Sequence, residues 1–329
     1  MKKFIIEEND ANQRLDKFLK KLFKNATRWL IFKLNRKWKI KVDWKKKDNE
    51  YKIQAWEEIK IFLRDEEFLE LTESKKEEKK ISKRLNKKDI IYEDKEILVI
   101  NKEPFLNVHP WDHKTEEISL IEQVHDYLSP TLNSLTFKPA LAHRIDRDTS
   151  WAIVIWKQKH ILENLVSLFK NKWVEKKYFA VVLWKMSRKQ WTISKNLIRI
   201  DNAKNENKVQ VSEKWQKAIT HYKVLKELTL ETKEWEIDIT TLEVTIETWR
   251  MHQIRVHLNH LWNPIIWDTK YGDMKTNHYL RNNHNVKRQF LHSKSLSFFV
   301  KSKKKNMTYN ARLKDDMVSF LDICKEKNS

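Results

Sequence analysis

The chain of 329 residues contains a single glycine, Gly272, although average usage of about 7% predicts roughly 23 glycines. Tryptophan is abundant instead, with 15 residues. Several tryptophans stand where the local pattern favours glycine: Trp44 follows Asp43 at a hairpin turn, and Trp262 follows an amphipathic helix pattern. The same argument applies at Trp151, Trp156 and Trp173, which flank strand or helix patterns. Our hypothesis is that these tryptophans are glycines in the cell, encoded by UGA codons that the organism reads as glycine.

Cysteine and long apolar runs are also scarce. One cysteine, Cys324, excludes an internal disulfide framework and fits a reducing cytoplasm. No apolar run approaches the roughly 18 residues that a membrane span needs, and the start "MKKFIIEEND" lacks the apolar core of a signal peptide. The sequence therefore predicts a cytoplasmic protein that has no membrane partner.

Positive charge is in excess along the whole chain. Lys and Arg total 67 against 46 acidic residues, a formal charge of +21, while 40% hydrophobic residues suffice for a sizeable core. Such an excess favours a polyanionic partner, most often nucleic acid. A solvated, lysine-rich surface from an A/T-rich genome explains the same composition, so composition leaves both interpretations open.

The apolar pattern divides the chain into three regions. The pattern of residues 12–63 predicts a small α/β unit with two helices. One face of the first helix is formed by Leu15, Phe18, Leu19 and Leu22, and Thr27 is the predicted N-cap of the second. Residues 64–88 are charge-dense and predict a mobile linker. Residues 89–325 alternate strand patterns with helices at about 158–172 and 250–261, which predicts a mixed α+β domain with a mostly antiparallel sheet.

The N-terminal unit resembles the S4 RNA-binding domain. "RLDKFL" and "TRWLIFKLNRKWKIKVDW" follow its pattern if Trp38 and Trp44 are glycines. The resemblance implies an RNA-binding patch on the second helix and the hairpin, where five basic side chains would contact phosphates: Arg28, Lys33, Arg36, Lys37 and Lys39. A helix with a solvated basic face remains the alternative.

The segment "HRIDRDTS", residues 143–150, is the candidate catalytic segment, and it is followed by the apolar strand pattern "AIVI". An Arg-x-Asp pair on a surface is usually an ion pair worth about 1 kcal/mol or less. Five charged or imidazole groups directly before a buried strand need another reason. A carboxylate beside arginines keeps a lowered pKa and stays ionised, as a nucleophile must, so Asp146 is the candidate.

The same segment resembles the H-R-L-D-x-x-T-S-G signature of the RluA-type pseudouridine synthases. "KKYFAVVLWK" resembles their K-x-Y-x-A-x-V-x-G stretch, and "ETWRMHQIRVHL" with "NPIIWDTKYGD" resembles their third motif. With the S4 resemblance, these motifs cover about residues 12–320. The family resemblance implies a pseudouridine synthase fold and the isomerisation of uridine in RNA, without cofactor or metal. The details of the motifs point to large-subunit ribosomal RNA, free or in a pre-ribosomal particle.

The resemblance also implies roles for single residues. Asp146 would attack the nucleotide, Tyr178 would stack against the uracil and assist proton removal, and Arg255 would pair with Asp146. Arg144 would fill the space of the flipped nucleotide. Arg250 and His252 would flank the RNA or support their helix.

Other interpretations remain. The first is a ribosome-assembly factor that binds RNA through its S4-like domain and has an inactive synthase domain. The second is a transfer-RNA pseudouridine synthase, and the third is a hydrolase that uses Asp146 and His143. A metal site is not expected, because the pairs His109/His113 and His252/His257 lack a third ligand and no HExxH motif is present. A monomer is the default expectation.

Overall fold

The structure is a computed structural model that describes residues 1–73, 84–110, 117–132, 134–141, 146–159, 161, 174–200, 208–233, 235–284 and 286–326. The chain divides into two units, each with its own core. The first consists of Met1–Leu85, Ile121–Ala140 and Trp156–Leu162. The second consists of Asn86–Leu120, Leu141–Ile155 and Glu163–Ser329.

The first unit begins with short strands and helices. Its elements up to residue 73 are β1 (Lys2–Ile5), β2 (Gln13–Arg14), α1 (Leu15–Leu22), α2 (Arg28–Arg36), β3 (Ile40–Val42), β4 (Lys52–Ile53), β5 (Glu58–Ile61) and α3 (Asp65–Thr72). Strands β1, β5 and β3 form a sheet in that order, and β2 pairs with β4. All of these pairings are antiparallel.

Both helices predicted in this region are present. On α1, Leu15, Phe18 and Leu19 are completely buried, as the i, i+3, i+4 spacing predicts. Helix α2 begins after Thr27, whose Oγ1 accepts a hydrogen bond from the Leu30 amide at 3.2 Å. The side-chain cap satisfies an amide that has no partner within the helix.

The predicted hairpin turn lies at Asp43 and Trp44. Their φ angles are 47° and 64°, so both central residues are in the left-handed region that this turn requires. Val42 pairs with Lys45 across the turn. The turn prediction is therefore confirmed at the backbone level.

The prediction of a linker over residues 64–88 is wrong for Asp65–Thr72, which forms helix α3. Phe68 stacks on Phe4 with ring centroids 5.8 Å apart and meets Phe23 edge-on at 5.9 Å. Leu71, three residues later, packs against the same core. Two apolar residues on one helical face are enough to dock this segment, although most of its other side chains are charged.

The later elements are built around one large sheet. They are β6 (Ile90–Glu93), β7 (Ile97–Lys102), α4 (Leu120–Leu128), β8 (Ala140–Leu141), β9 (Ser150–Trp156), β10 (Val174–Leu183), β11 (Gln190–Ile200), β12 (Lys208–Ser212), β13 (Gln216–Glu231), β14 (Glu236–Ile246), α5 (Gln253–His260), α6 (Met274–His284), β15 (Leu291–Val300), β16 (Lys305–Asn310), α7 (Asp315–Asp322) and β17 (Lys325–Glu326). The strand order is β12-β11-β13-β14-β10-β15-β9-β7-β6. Among the strand pairs of this sheet for which residue partners are defined, β9–β15 is parallel and the others are antiparallel. The prediction of a mixed, mostly antiparallel α+β fold is confirmed.

Strand β10 is buried on both faces of this sheet. One face carries Tyr178, Ala180 and Val182, which pack in a cluster with Ile254 and Leu258 of α5. The alternate residues belong to a second cluster that includes side chains of α6 and α7. Tyr178 therefore faces α5, the helix that carries Arg255.

The interpretation of Trp151 and Trp156 as turn residues around "AIVI" is wrong, because both lie within β9. Ser150 and Trp151 of β9 pair with His292 and Ser293 of β15, and Trp156 is completely buried. The helix predicted at about 250–261 is present as α5. The helix predicted at about 158–172 and Trp173 lie mostly outside the described residues. No helix in the described part of the chain is long and apolar enough to span a membrane.

Candidate active site

Asp146 lies in a turn directly before β9. Its carbonyl accepts a hydrogen bond from the Thr149 amide at 3.3 Å, and its side chain is 28% exposed. The turn is tied to β15 and the residues just before it: Gln289 Nε2 donates to Thr149 Oγ1 at 2.9 Å, and Ser150 Oγ donates to His292 Nδ1 at 2.8 Å. These buried bonds hold the Asp146 carboxylate rigidly at the start of β9, an interior strand of the sheet.

Arg255, on α5, reaches this carboxylate. Its side chain is only 5% exposed, and Nη1 donates to Asp146 Oδ2 at 2.8 Å. The other side of the guanidinium makes a fork with Asp268: Nε donates to Oδ2 at 2.6 Å and Nη2 to Oδ1 at 2.7 Å. The structure thus brings together the two residues that the sequence paired, 109 positions apart.

His252 stands beside the same carboxylate. Its Nε2 is 3.8 Å from Asp146 Oδ2, and its Nδ1 is 2.8 Å from the Tyr271 hydroxyl. Its φ of 55° places it in the left-handed region just before α5. Positive φ is uncommon for a residue other than glycine, so His252 has a strained backbone at the position where its ring lies beside Asp146.

The charges at the site follow from burial and pairing. Burial alone would raise the pKa of the Asp146 carboxyl, but the charge that His252 carries once protonated in acid, the charge of Arg255 and hydrogen bonds from Arg255 and Gln289 outweigh it and lower that pKa. Burial lowers the pKa of His252 to about 4, so its ring is neutral at neutral pH. Arg255 therefore supplies the positive charge that keeps Asp146 ionised near pH 7.

Tyr178 completes the apolar side of the site. Its side chain is 4% exposed within the cluster shared with α5. Burial, and next the charge of Asp146, raise the pKa of its phenol, so the hydroxyl stays protonated at neutral pH. A protonated phenol on an apolar wall offers a ring face and a hydrogen bond, not a phenolate base.

Sequence reasoning assigned no role to Asp268. The only signal was its place in "NPIIWDTKYGD", where Trp267 separates it from the buried apolar run 264–266. Asp268 is completely buried, and Oδ1 also accepts the amides of Lys270 and Tyr271 at 2.9 and 3.0 Å. Its partner Arg255 is 13 residues away, and no local pattern predicts that pair.

The other RNA-contact candidates lie elsewhere or outside the described residues. Arg250 is held to β13, because its Nε donates to the Lys217 carbonyl at 3.4 Å. Arg144 and His143 lie outside the described residues.

The basic candidates of the first unit share one helix and its C-terminal end. Arg28, Lys33 and Arg36 lie on α2, Lys37 is its C-terminal cap, and Lys39 precedes β3. Arg28 is 72% exposed and lies over the Phe32 ring, with its guanidinium carbon 5.3 Å from the ring centroid. The unit thus places an exposed cation beside an aromatic ring, a combination that suits single-stranded RNA.

No cluster of three or more His, Cys, Asp or Glu side chains in the described ranges could hold a metal ion. Of the histidines considered, His257 is buried and bonded to Thr220 Oγ1 and the Lys195 carbonyl, while His113 lies outside the described residues.

Residues 96–260 match the family model described as RNA pseudouridylate synthase. The chain belongs to this family. The matched range contains Asp146, Tyr178 and Arg255, so the family assignment and the site geometry concern the same part of the chain. The chain is accordingly an isomerase that makes pseudouridine in RNA.

Relatives named "Ribosomal large subunit pseudouridine synthase C" match nearly the whole chain. The protein of Buchnera aphidicola subsp. Baizongia pistaciae (strain Bp) is 33% identical over 317 residues, which cover 94% of this chain and 92% of the relative. That of Vibrio vulnificus (strain CMCP6) is 31% identical over 320 residues, 95% of this chain and 93% of the relative.

The fold is also similar to a solved structure. "Human RNA Pseudouridylate Synthase Domain Containing 4" superposes with a TM-score of 0.56 at 21% identity, covering 73% of this chain and 95% of that chain. At this identity the similarity concerns the fold alone, and it agrees with the mostly antiparallel sheet described above.

Proposed function

We propose that this protein converts specific uridines of large-subunit ribosomal RNA to pseudouridine. One observation carries the proposal: the Asp146 carboxylate is held 2.8 Å from Nη1 of the buried Arg255. The names of the relatives, at 29–33% identity over at least 89% of this chain, support ribosomal RNA as the substrate class. We further propose that the protein acts as a cytoplasmic monomer on free RNA or on a pre-ribosomal particle.

The reaction needs an ionised carboxylate and an extracted base. Flipping the uridine out of its stack costs a few kcal/mol, which contacts to RNA must offset. The Asp146 carboxylate forms a bond to C1′ as the bond between C1′ and N1 breaks. The detached uracil rotates, C5 bonds to C1′ as the bond between C1′ and Asp146 breaks, the C5 proton leaves and N1 takes up a proton. Atoms and electrons balance within the substrate, and no oxidant or reductant is consumed.

Each of the other residues then has a defined task. Arg255 keeps Asp146 ionised through its charge and its hydrogen bond. Tyr178 presents its ring to the uracil, and its raised pKa favours this contact over a role as a phenolate base. Arg144 fills the space that the nucleotide leaves, and Arg250 and His252 contact the RNA or hold the start of α5.

The test of catalysis is pseudouridine mapping on unmodified large-subunit ribosomal RNA. We expect Asp146→Asn to reduce modification at least about a thousandfold while RNA binding is retained, because the nucleophile is lost and the shape is kept. Asp322→Asn, an exposed acid at the end of α7, is the matched control and should keep full activity. Modification of transfer RNA only, or RNA binding without any modification by the parent chain, would contradict the proposal and favour the respective alternative.

For residues 12–63 we propose an S4-like RNA-binding domain. Its support is the basic set on α2 and the adjoining hairpin, in which Lys33 is half-buried and the other four side chains are exposed. Neutralising one phosphate-binding cation should reduce the salt dependence of RNA affinity by a slope of about 0.7–0.9. We expect this for Lys33→Gln, whereas Lys24→Gln, an exposed lysine outside α1 and α2, should leave the slope unchanged.

We also propose that the tryptophans are glycines in the cell. Support comes from the backbone: among the described residues, twelve that are not glycine have positive φ, and seven of them are tryptophan. They are Trp38, Trp44, Trp56, Trp184, Trp215, Trp262 and Trp267. Only a few per cent of such residues adopt positive φ in proteins, and a bulky side chain there is an outlier. Glycine reaches this region without steric cost.

Peptide mass spectrometry of the protein from its natural source tests the recoding directly. Glycine masses at these positions are expected, and tryptophan masses would refute the hypothesis. A second measurement compares pseudouridine formation by the chain as written with that by the chain carrying glycine at all 15 positions. We expect activity in the glycine form only, so activity of the tryptophan form would also contradict the recoding.

A further inference from the structure

Asp268 determines how the Arg255 guanidinium is presented to Asp146. Of the donor groups of Arg255, Nε and Nη2 go to Asp268 at 2.6 and 2.7 Å, and Nη1 goes to Asp146 at 2.8 Å. A planar guanidinium that forms a two-point fork with one carboxylate cannot rotate without breaking it. The fork therefore fixes the direction in which Nη1 points.

Asp268 is itself held rigidly. Its side chain is 1% exposed, and Oδ1 accepts the amides of Lys270 and Tyr271 in the turn 268–272. Asn277 on α6 donates to the Asp268 carbonyl at 3.2 Å. The backbone amides of its own turn thus fix the Asp268 carboxylate, and Asn277 fixes its carbonyl.

The same turn also holds the second neighbour of Asp146. The Tyr271 hydroxyl is 2.8 Å from Nδ1 of His252 and accepts the Val209 amide at 2.9 Å. One turn thus orients both side chains that flank the carboxylate, Arg255 from one end and His252 from the other. A rigid support of this kind is what a reactive group needs to keep its geometry during a reaction.

We propose that Asp268 is a positioning residue for pseudouridine formation: its fork on Arg255 fixes the guanidinium in the orientation in which Nη1 is the nitrogen that reaches Asp146. Without the fork, Arg255 would be free to turn both of its outer nitrogens toward its one remaining carboxylate partner. Asp146 would then be engaged at two points instead of one and less available to attack. The inference rests on the proposed function, and it concerns a residue beyond the range matched by the family model.

The first test is a single-turnover measurement with saturating enzyme, which reports the rate on bound RNA whatever the fraction of folded protein. We expect Asp268→Asn to slow this rate about 10- to 100-fold, by analogy with the loss of a residue that orients a metal ligand. RNA affinity should remain within about twofold of the parent, because Asp268 is buried away from solvent. A rate within about threefold of the parent would overturn the inference.

A matched control separates positioning from general stability. Asp316 makes an equivalent fork with the buried Arg288, at 2.5 and 2.8 Å, but neither residue bonds to Asp146 in the described structure. Asp316→Asn should lower the stability of the fold and leave the single-turnover rate unchanged. If both Asp→Asn variants slowed the reaction equally, the effect of Asp268 would be structural and the proposal wrong.

A double-mutant cycle tests whether Asp268 acts through Arg255. Lysine at position 255 keeps the charge but has no planar fork for Asp268 to hold. Asp268→Asn should therefore slow the Arg255→Lys enzyme less than about threefold, and an undiminished effect would refute the coupling.

Should Asp268→Asn fail to fold, Asp268→Glu serves as the second variant, because it keeps the charge and displaces the fork by one methylene. We expect the Asp268→Glu enzyme to be about 10-fold slower than the parent. An inactive parent would overturn the proposed function itself, whereas an active parent with unchanged Asp268 variants overturns only this inference.

Discussion

Gly272 shows at the scale of one residue why the turn beside the site has its shape. A Cβ at this position would lie 2.4 Å from the Asp268 carbonyl oxygen and 2.9 Å from Asn277 Nδ2. The Gly272 amide also donates to that same carbonyl at 2.8 Å. The only glycine of the chain is therefore required by a close backbone approach, not by a positive φ.

We predict that Gly272→Ala destabilises the protein by about 1–3 kcal/mol, because the new methyl group must push the backbone of Asp268 aside. The same displacement should slow the single-turnover rate of pseudouridine formation, because Asp268 holds the Arg255 guanidinium through hydrogen bonds. Urea unfolding and the rate assay measure the two effects. Lys270→Ala, an exposed side chain in the same turn, is the control and should change neither. If the Gly272→Ala protein were as stable as the parent, the prediction would be wrong, because the backbone of the turn could then move aside without loss of stability.

The candidate site was predictable only in part at this scale. Asp146 and Arg255 stand in motifs that resemble a known family, so their pairing follows although 109 residues separate them. Asp268 belongs to one of those motifs, but its role depends on which way the Arg255 side chain leaves α5. That direction is set by packing across the sheet, and spacing along the sequence does not encode it.

At the scale of single elements, the ends of helices and hairpins were the most predictable features. Trp38 and Trp262 follow the C-terminal caps of α2 and α5 with φ of 61° and 62°, where the sequence pattern favours glycine. Helix α3 was missed because only Phe68 and Leu71 distinguish its inner face from its charged surroundings. The turn assignment of Trp151 and Trp156 failed because sheet pairing extends β9 over both residues.

These helix ends give a prediction of opposite signs at two exposed tryptophans. Trp262 is 82% exposed and in the left-handed region, so Trp262→Gly should stabilise the fold by about 1 kcal/mol. Trp29 is 67% exposed but lies within α2, so Trp29→Gly should destabilise it by about 0.5 kcal/mol. Chemical unfolding of both variants gives the two free energies. Trp262→Ala serves as control, because alanine keeps the strain; a gain as large as that of glycine would mean that φ is not the cause.

At the scale of the whole molecule, three buried histidines make the second unit sensitive to acid. Burial lowers the pKa of His252, His257 and His292 to about 4 in each case. The Nε2 groups of His257 and His292 donate to backbone carbonyls, and their Nδ1 atoms accept from Thr220 and Ser150 hydroxyls. Protonation of Nδ1 would replace an acceptor by a donor in a buried site, which the surrounding hydroxyls and carbonyls oppose.

We therefore predict that the free energy of unfolding falls as the pH is lowered from about 6.5 toward 4. The unfolded chain binds protons on these histidines below pH 6.5, whereas the folded chain does so only near pH 4, so stability rises with pH through this window. Three such groups contribute about 3 kcal/mol between pH 6 and pH 5, at roughly 1.4 kcal/mol per proton and pH unit. Urea unfolding at pH 7, 6 and 5 at constant ionic strength measures the slope. His292→Gln removes one titrating group and should reduce this slope by about a third, whatever its effect on stability at pH 7. A stability that stays constant from pH 7 to pH 5 would show that these rings take up protons in the folded state, and thus that their burial does not keep them neutral.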